Sequence, residues 1–167
     1  MAGTEYLVGA AGGRYVHFRA LGTRYVVSGE QTGGALAIVE HDLAPHELGA
    51  PMHLHEREDE ISHVTSGRLA VQIGDDVVEA GPGDIVFKPR GIAHAFWNPG
   101  DEPVRFLEII TPSGFEQYFA DVEPLLTADG PPDIAALAAV QARYALSMDL
   151  ESAQPLVATH GLNAPPV

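Results

Sequence analysis

The chain contains no cysteine, which removes disulfide frameworks, thiolate zinc sites, iron–sulfur clusters and cysteine nucleophiles together. Any bound metal must be held by nitrogen and oxygen. Positive charge is nearly as scarce: nine Lys and Arg stand against 23 Asp and Glu, a formal net charge of −14, and Lys88 is the single lysine. A basic footprint for nucleic acid is absent, and attachment to an anionic membrane surface is disfavoured. No run approaches the ~18 apolar residues of a membrane span, and residues 1–5 lack the basic start of a secretory leader. A soluble cytoplasmic protein is expected. At 167 residues the chain is the size of one domain with one core.

What is present, up to about residue 110, is a series of short β-rich runs divided by turn signals, the spacing of a sandwich or barrel rather than of βαβ units. Strands are expected at 14–19, 24–27, 35–42, 52–55, 60–65, 68–73, 77–79, 84–88, 93–98 and 104–110. Turn clusters such as Gly33-Gly34, Ser66-Gly67, Gly81-Pro82-Gly83 and Pro99-Gly100-Asp101 punctuate them. After Pro112 the periodicity becomes helical. Ser113 with Glu116 has the form of a capping box, Phe115, Tyr118, Phe119 and Val122 make an apolar stripe, and Pro124 is expected to end or kink this helix. A second helix is expected from Asp133 through Ile134, Leu137, Val140 and Tyr144. The organisation expected is therefore a β-barrel over 1–112, helices packed on it over 113–150, and an extended or mobile tail over 151–167.

Five of the eight histidines fall between His41 and His63, and the densest stretch runs from His53 to Glu60. On a strand, residues two apart point to the same face, so His53 and His55 direct both imidazoles at one point. Glu60, beyond a tight turn, can return on the neighbouring antiparallel strand and reach that point too. Parity turns Ser62 and Val64 to its side and Ile61 and His63 away. Parity also puts Phe96 and Asn98 on the face of His94, with Ala93, Ala95 and Trp97 outward. The run Glu56, Glu58 and Asp59 reads as a solvated loop. Lys88 reads as a rim cation, His17, His41, His46 and His160 as ordinary strand or surface histidines, and Phe115, Tyr118 and Phe119 as core anchors.

Two clusters carry a family resemblance. His53-x-His55-x4-Glu60-x6-Gly67, within 49–67, resembles the first cupin motif, and Gly83-x5-Pro89-x-Gly91-x2-His94-x3-Asn98, within 83–98, matches the second. The family's leading glycine, six positions before the first histidine, is replaced by Glu47. The sequence resembles the small single-domain cupins of the quercetin-dioxygenase-like group. The resemblance implies an all-β double-stranded β-helix, a jelly-roll barrel with a short C-terminal helical appendage, and His53, His55, Glu60 and His94 as ligands of one divalent transition metal. Imidazole nitrogens with a carboxylate suit Fe, Ni, Mn, Co, Cu or Zn rather than Ca or Mg. The function it implies is a metal-dependent dioxygenase that opens an enol-containing, flavonol-like aromatic, with O2 as co-substrate and Glu60 as catalytic base. Phe96 and Phe87 are expected to line the substrate pocket. The alternatives are a metal-dependent isomerase, cyclase or decarboxylase, or a noncatalytic small-ligand-binding module. A homodimer is expected by family analogy.

Overall fold

Strict alternation of buried and less buried residues organises the molecule, because successive side chains on a strand face opposite ways. In the computed structural model, which describes residues 7–128, 130 and 132–163, β3 (Ala37–Leu43) buries Ala37, Val39, His41 and Leu43. β5 (Asp59–Ser66) buries Glu60, Ser62 and Val64, and β10 (Val104–Thr111) buries Val104, Phe106, Glu108 and Ile110. These strands join β1 (Tyr15–Phe18), β2 (Leu21–Val27) and β8 (Ile85–Lys88) in a six-stranded sheet ordered β1-β2-β3-β10-β5-β8. A five-stranded sheet faces it. Its order is β11-β4-β9-β6-β7, built from β4 (Leu48–His55), β6 (Leu69–Ile73), β7 (Asp76–Ala80), β9 (His94–Trp97) and β11 (Leu146–Met148). Every pairing among them is antiparallel. Two packed antiparallel sheets with crossing connections make the jelly roll expected from the sequence.

The apolar core lies between the sheets, where Val39, Leu43, Val64, Leu69, Val71, Val86, Phe96, Phe106 and Ile110 meet. Two glycines are required by that packing. A Cβ on Gly49 would lie 2.0 Å from Cε2 of Phe96, so this position of β4 must be bare for the ring to enter. Gly67 turns between β5 and β6 at φ +75, with Pro103 O 2.6 Å from where a Cβ would stand.

The C-terminal third departs from the sequence reading. α1 (Gln117–Thr127) runs through Pro124 instead of ending there, and Leu125 and Leu126 beyond the proline pack against the core. That burial offsets the lost backbone hydrogen bond. No capping box forms at its start, since the Glu116 carboxylate accepts from the backbone N–H groups of Gly29 and Gly114. α2 (Ile134–Arg143) begins as expected, with the Asp133 carboxylate accepting from Ala136 N at 3.0 Å.

The expected extended or mobile tail is instead ordered through residue 163. β11 pairs with β4, and a 3-10 turn at Leu150–Ser152 leads into α3 (Ala153–His160). Leu156, Val157 and Leu162 cover Ala70, Ala95 and Trp97, and His160 stacks on Trp97 at 4.1 Å. Ala95 and Trp97 do leave the barrel interior by parity, yet they are buried beneath this helix rather than exposed. Pro155 lies in the first turn of α3, where a missing N–H costs nothing. Pro165 and Pro166 of the tail lie outside the described residues. Among the described residues, no helix is long and apolar enough to cross a membrane.

Candidate metal centre

The residues that converge inside the barrel come from three strands, β4, β5 and β9. β4 supplies His53 and His55 from one face, and the register places His53 opposite His94 on β9. Contrary to expectation, Glu60 does not return on a strand paired with β4 but enters from β5 on the opposing sheet, because β4 pairs with β9 and β11 while β5 pairs with β10 and β8. All four are buried, and one donor atom from each lies within 4.8 Å of every other. Nε2 of His94 is 3.2 Å from Oε2 of Glu60, and Nε2 of His55 is 3.6 Å from Oε1. At these separations His53, His55, Glu60 and His94 would hold one divalent cation between them after small side-chain adjustments.

The imidazoles are turned for that purpose. His53 Nδ1 faces the Pro51 carbonyl at 2.8 Å and His94 Nδ1 faces that of Ile92 at 3.3 Å. A carbonyl only accepts, so each Nδ1 carries the hydrogen and the Nε2 lone pair is left for the centre. Both ring nitrogens of His55 are buried and without a hydrogen-bond partner. Its Nδ1 lies 4.0 Å from Oε2 of Glu58, which is also buried and unpartnered. Such atoms are normally satisfied, and an ion at Nε2 with the Glu58 carboxylate at Nδ1 would satisfy all three. Glu58 is thus buried at the site instead of lying in a solvated loop, with its carboxylate against His55 of β4.

Burial keeps His53 and His55 in their ligating form. It depresses His53 well below the ordinary value, helped by His94 and His55, and lowers His55 to about 4. For Glu60 burial acts upward, but the Lys88 ammonium, then His55 and His94, hold the carboxyl well below its ordinary value. Neutral nitrogens and an ionised carboxylate are what a divalent transition metal requires.

Lys88 overturns the expectation of a rim cation. Its side chain is 1% exposed, and Nζ lies 3.0 Å from Oε2 of Glu60 and 2.7 Å from Oε2 of Glu108. Ser62 Oγ also donates to that Glu108 oxygen at 2.9 Å. The pairing Glu60↔Lys88 between β5 and β8 fixes this geometry. Burial disfavours the ammonium, but Glu108 and Glu60 raise its pKa above the ordinary value. Glu108 is pushed up to about 7 by burial against the pull of Lys88.

The same register corrects Phe87. It pairs with Ile61 on the outer face of β8 and is 55% exposed. The run Ile85-Val86-Phe87 is apolar throughout, so its phase is unreadable until Glu60↔Lys88 sets it. Phe96 instead faces the interior, 6.5 Å from the His53 ring and 5.8 Å from Phe106. Asn98 clamps the following turn by donating to the carbonyls of Leu43, Ala44 and Glu102. His41, read as ordinary, points into the barrel, hydrogen-bonded to Thr23 and packed against Phe106 and Phe119. Burial and the nearby Lys88 lower it to about 4. Phe115 packs edge-on to His55 at 4.2 Å. Glu108 had a sequence signal: within Val104-x-Phe106-x-Glu108-x-Ile110 a charge occupies an apolar parity position.

Comparison with known proteins bears on this architecture. Residues 39–110 match the cupin domain family model. A germin-like protein 3-7 of Oryza sativa is 32% identical over 98 residues, covering 56% of this chain and 40% of the rice protein. Among solved structures, KdgF from Halomonas sp. superposes with a TM-score of 0.55 at 19% identity, covering 62% of this chain and 90% of that one. The oxalate decarboxylase of Lactobacillus farciminis superposes with a TM-score of 0.54 at 18% identity, covering 60% of this chain and 31% of that one. The chain therefore spans well under half of the rice protein and of the decarboxylase, and likeness at these identities is one of fold. Both motif clusters lie inside the segment that matches the cupin domain model, and the jelly roll around them is the fold shared with these neighbours.

Proposed function

We propose that the protein is a metal-dependent enzyme for an enol-containing small molecule, with a dioxygenase acting on a flavonol-like aromatic as the leading assignment. The observation that carries the reading is the convergence of three imidazoles and one carboxylate, all buried, within 4.8 Å of one another in an aromatic-lined barrel. In this reading His53, His55, Glu60 and His94 hold one divalent transition metal, and Glu58 orients His55 from behind. A metal bound there supplies Lewis acidity that makes a substrate enol more acidic. Glu60, ionised and facing the centre, takes the enol proton. Phe96, Phe106 and Phe115 keep bulk water from the resulting electron-rich anion, which is the species O2 attacks. Oε1 of Glu60 is left to the ion, Oε2 accepts from the Lys88 ammonium and keeps a second lone pair for the enol proton, and the apolar rings exclude water.

The test is turnover of a flavonol panel by the metal-loaded protein in an oxygen electrode. Oxygen uptake matching substrate loss supports the dioxygenase. Equal turnover under anaerobic conditions would contradict it and favour an isomerase, cyclase or decarboxylase using the same enolate. Absence of turnover across enol, diketone and phenol panels by metal-replete protein would favour a noncatalytic ligand-binding role.

We also infer a homodimer. β8 is the last strand of its sheet, and its outward side carries Ile85 at 66% and Phe87 at 55% exposure, continuing onto Ile61 and Leu107. An antiparallel edge with apolar side chains is self-complementary about a twofold axis. Light scattering after size exclusion should give twice 17.7 kDa for the wild type and the monomer mass for Phe87→Glu. A monomeric wild type at micromolar concentration would contradict the inference.

A further inference from the structure

The least expected group in the barrel is the one lysine of the chain, enclosed between two carboxylates and directed at only one oxygen of each. Oε2 of Glu60 accepts from the Lys88 ammonium at 3.0 Å and lies 3.2 Å from His94 Nε2, whereas Oε1 lies toward His55 at 3.6 Å. The ammonium is itself anchored from the far side by Oε2 of Glu108, with Ser62 fixing that oxygen. It also sits 5.6 Å over the Phe96 ring. Neither end of this chain of contacts reaches solvent.

We propose that Lys88 is a positioning residue that divides the two oxygens of Glu60, keeping Oε2 for its own ammonium so that the carboxylate offers a metal Oε1 alone. The inference rests on the metal reading above. A carboxylate free of such a partner can close both oxygens onto one ion and fill a coordination position. One held by a buried ammonium cannot do so without breaking a charge-assisted hydrogen bond in a low-dielectric interior. The consequence is an open position for an exogenous oxygen ligand. Glu108 is then the counter-anchor that keeps the ammonium in place. The cation beside the ion also makes the centre more demanding of an anionic ligand, which fits an enolate better than a neutral alcohol.

Loading with Co(II) reads this directly, because its visible d–d bands report the number and geometry of the donors. Wild type, Lys88→Met, Lys88→Arg and the double variant Lys88→Met/Glu108→Leu are titrated with Co(II). The double variant removes the cation and its counter-anchor together, so the comparison survives if the single variant fails to fold. The expected result is a changed d–d spectrum in the double variant with Co(II) binding at least about tenfold tighter, because a like charge is gone and the second oxygen is released. Lys88→Arg keeps the wild-type spectrum. A double-variant spectrum that superimposes on wild type would overturn the assignment. If wild type takes up no Co(II), the metal reading itself fails, which is a different result from a Co(II) site indifferent to Lys88.

Discussion

The two sheets contribute unlike chemistry to the same point. The five-stranded sheet brings His53, His55 and His94, which offer neutral nitrogen. The six-stranded sheet brings Glu60, Ser62, Lys88 and Glu108, a buried network that carries the charge. Neutral donors tolerate burial because each needs only one protein hydrogen bond, and two of the three find it at the carbonyl two residues earlier in the chain. Charged groups tolerate burial only in company. The opposing wall therefore requires an ammonium between two carboxylates, whereas the histidine wall requires, beyond its own strand geometry, the Glu58 carboxylate behind His55. The ligand type offered by each wall is thus set by how that wall satisfies its buried polar atoms.

That contrast predicts unequal responses to mutation. Lys88→Met leaves Glu60 and Glu108 without their shared cation, and a destabilisation of about 3–5 kcal/mol is expected from urea unfolding. The double variant Lys88→Met/Glu108→Leu should recover most of that loss. A change below about 1 kcal/mol for the single variant would show that the network behaves like a surface pair and would erase the distinction between the walls.

A smaller effect reads the buried histidines of both sheets by pH, since His41 stands on β3 of the six-stranded sheet and His53 and His55 on β4 of the other. His41 and His55 are held down to about 4 and His53 lower still, chiefly by burial. Between their ordinary value of 6.5 and about 4 the unfolded chain takes up protons that the folded chain refuses. Stability contributed by keeping these rings neutral is present above 6.5 and is lost as the pH falls through that window. Glu108 acts in the opposite sense, because its folded carboxyl, at about 7 against an ordinary 4.5, retains a proton the unfolded one releases. Three imidazoles outweigh one carboxyl. The melting temperature of chelator-treated protein should therefore be lower at pH 5 than at pH 7, and an equal or higher value would mean that these three rings are open to water.

The same division explains what was legible in the sequence. The histidine wall is readable because His53 and His55 are two apart on one strand and His94 sits in a second spaced cluster, both local signals. Glu60 is marked by its spacing, but its place on the opposing sheet is not. The charged wall depends on β5 pairing with β8 and β10, a non-local register that no spacing discloses. Lys88 was therefore misread as rim and Phe87 as interior, since the all-apolar run before Lys88 carries no phase. Glu108 was detectable from its place in an alternating strand, but its partner was not. The jelly roll followed from turn spacing, while α3 did not, because its stability comes from covering Trp97 and Ala95 rather than from its own periodicity. Phe96 was assigned correctly to the interior by its parity with His94, and Gly49 then admits its ring.

The central claim is that both walls converge on one ion, and metal content measures it. Protein purified without a polyhistidine tag, wild type beside His94→Ala from one wall and Glu60→Ala from the other, is analysed for transition metals by mass spectrometry. The account predicts about one equivalent in wild type and less than about a tenth in either variant, since a four-donor site loses most of its affinity with one ligand. Metal content unchanged in both variants would contradict it.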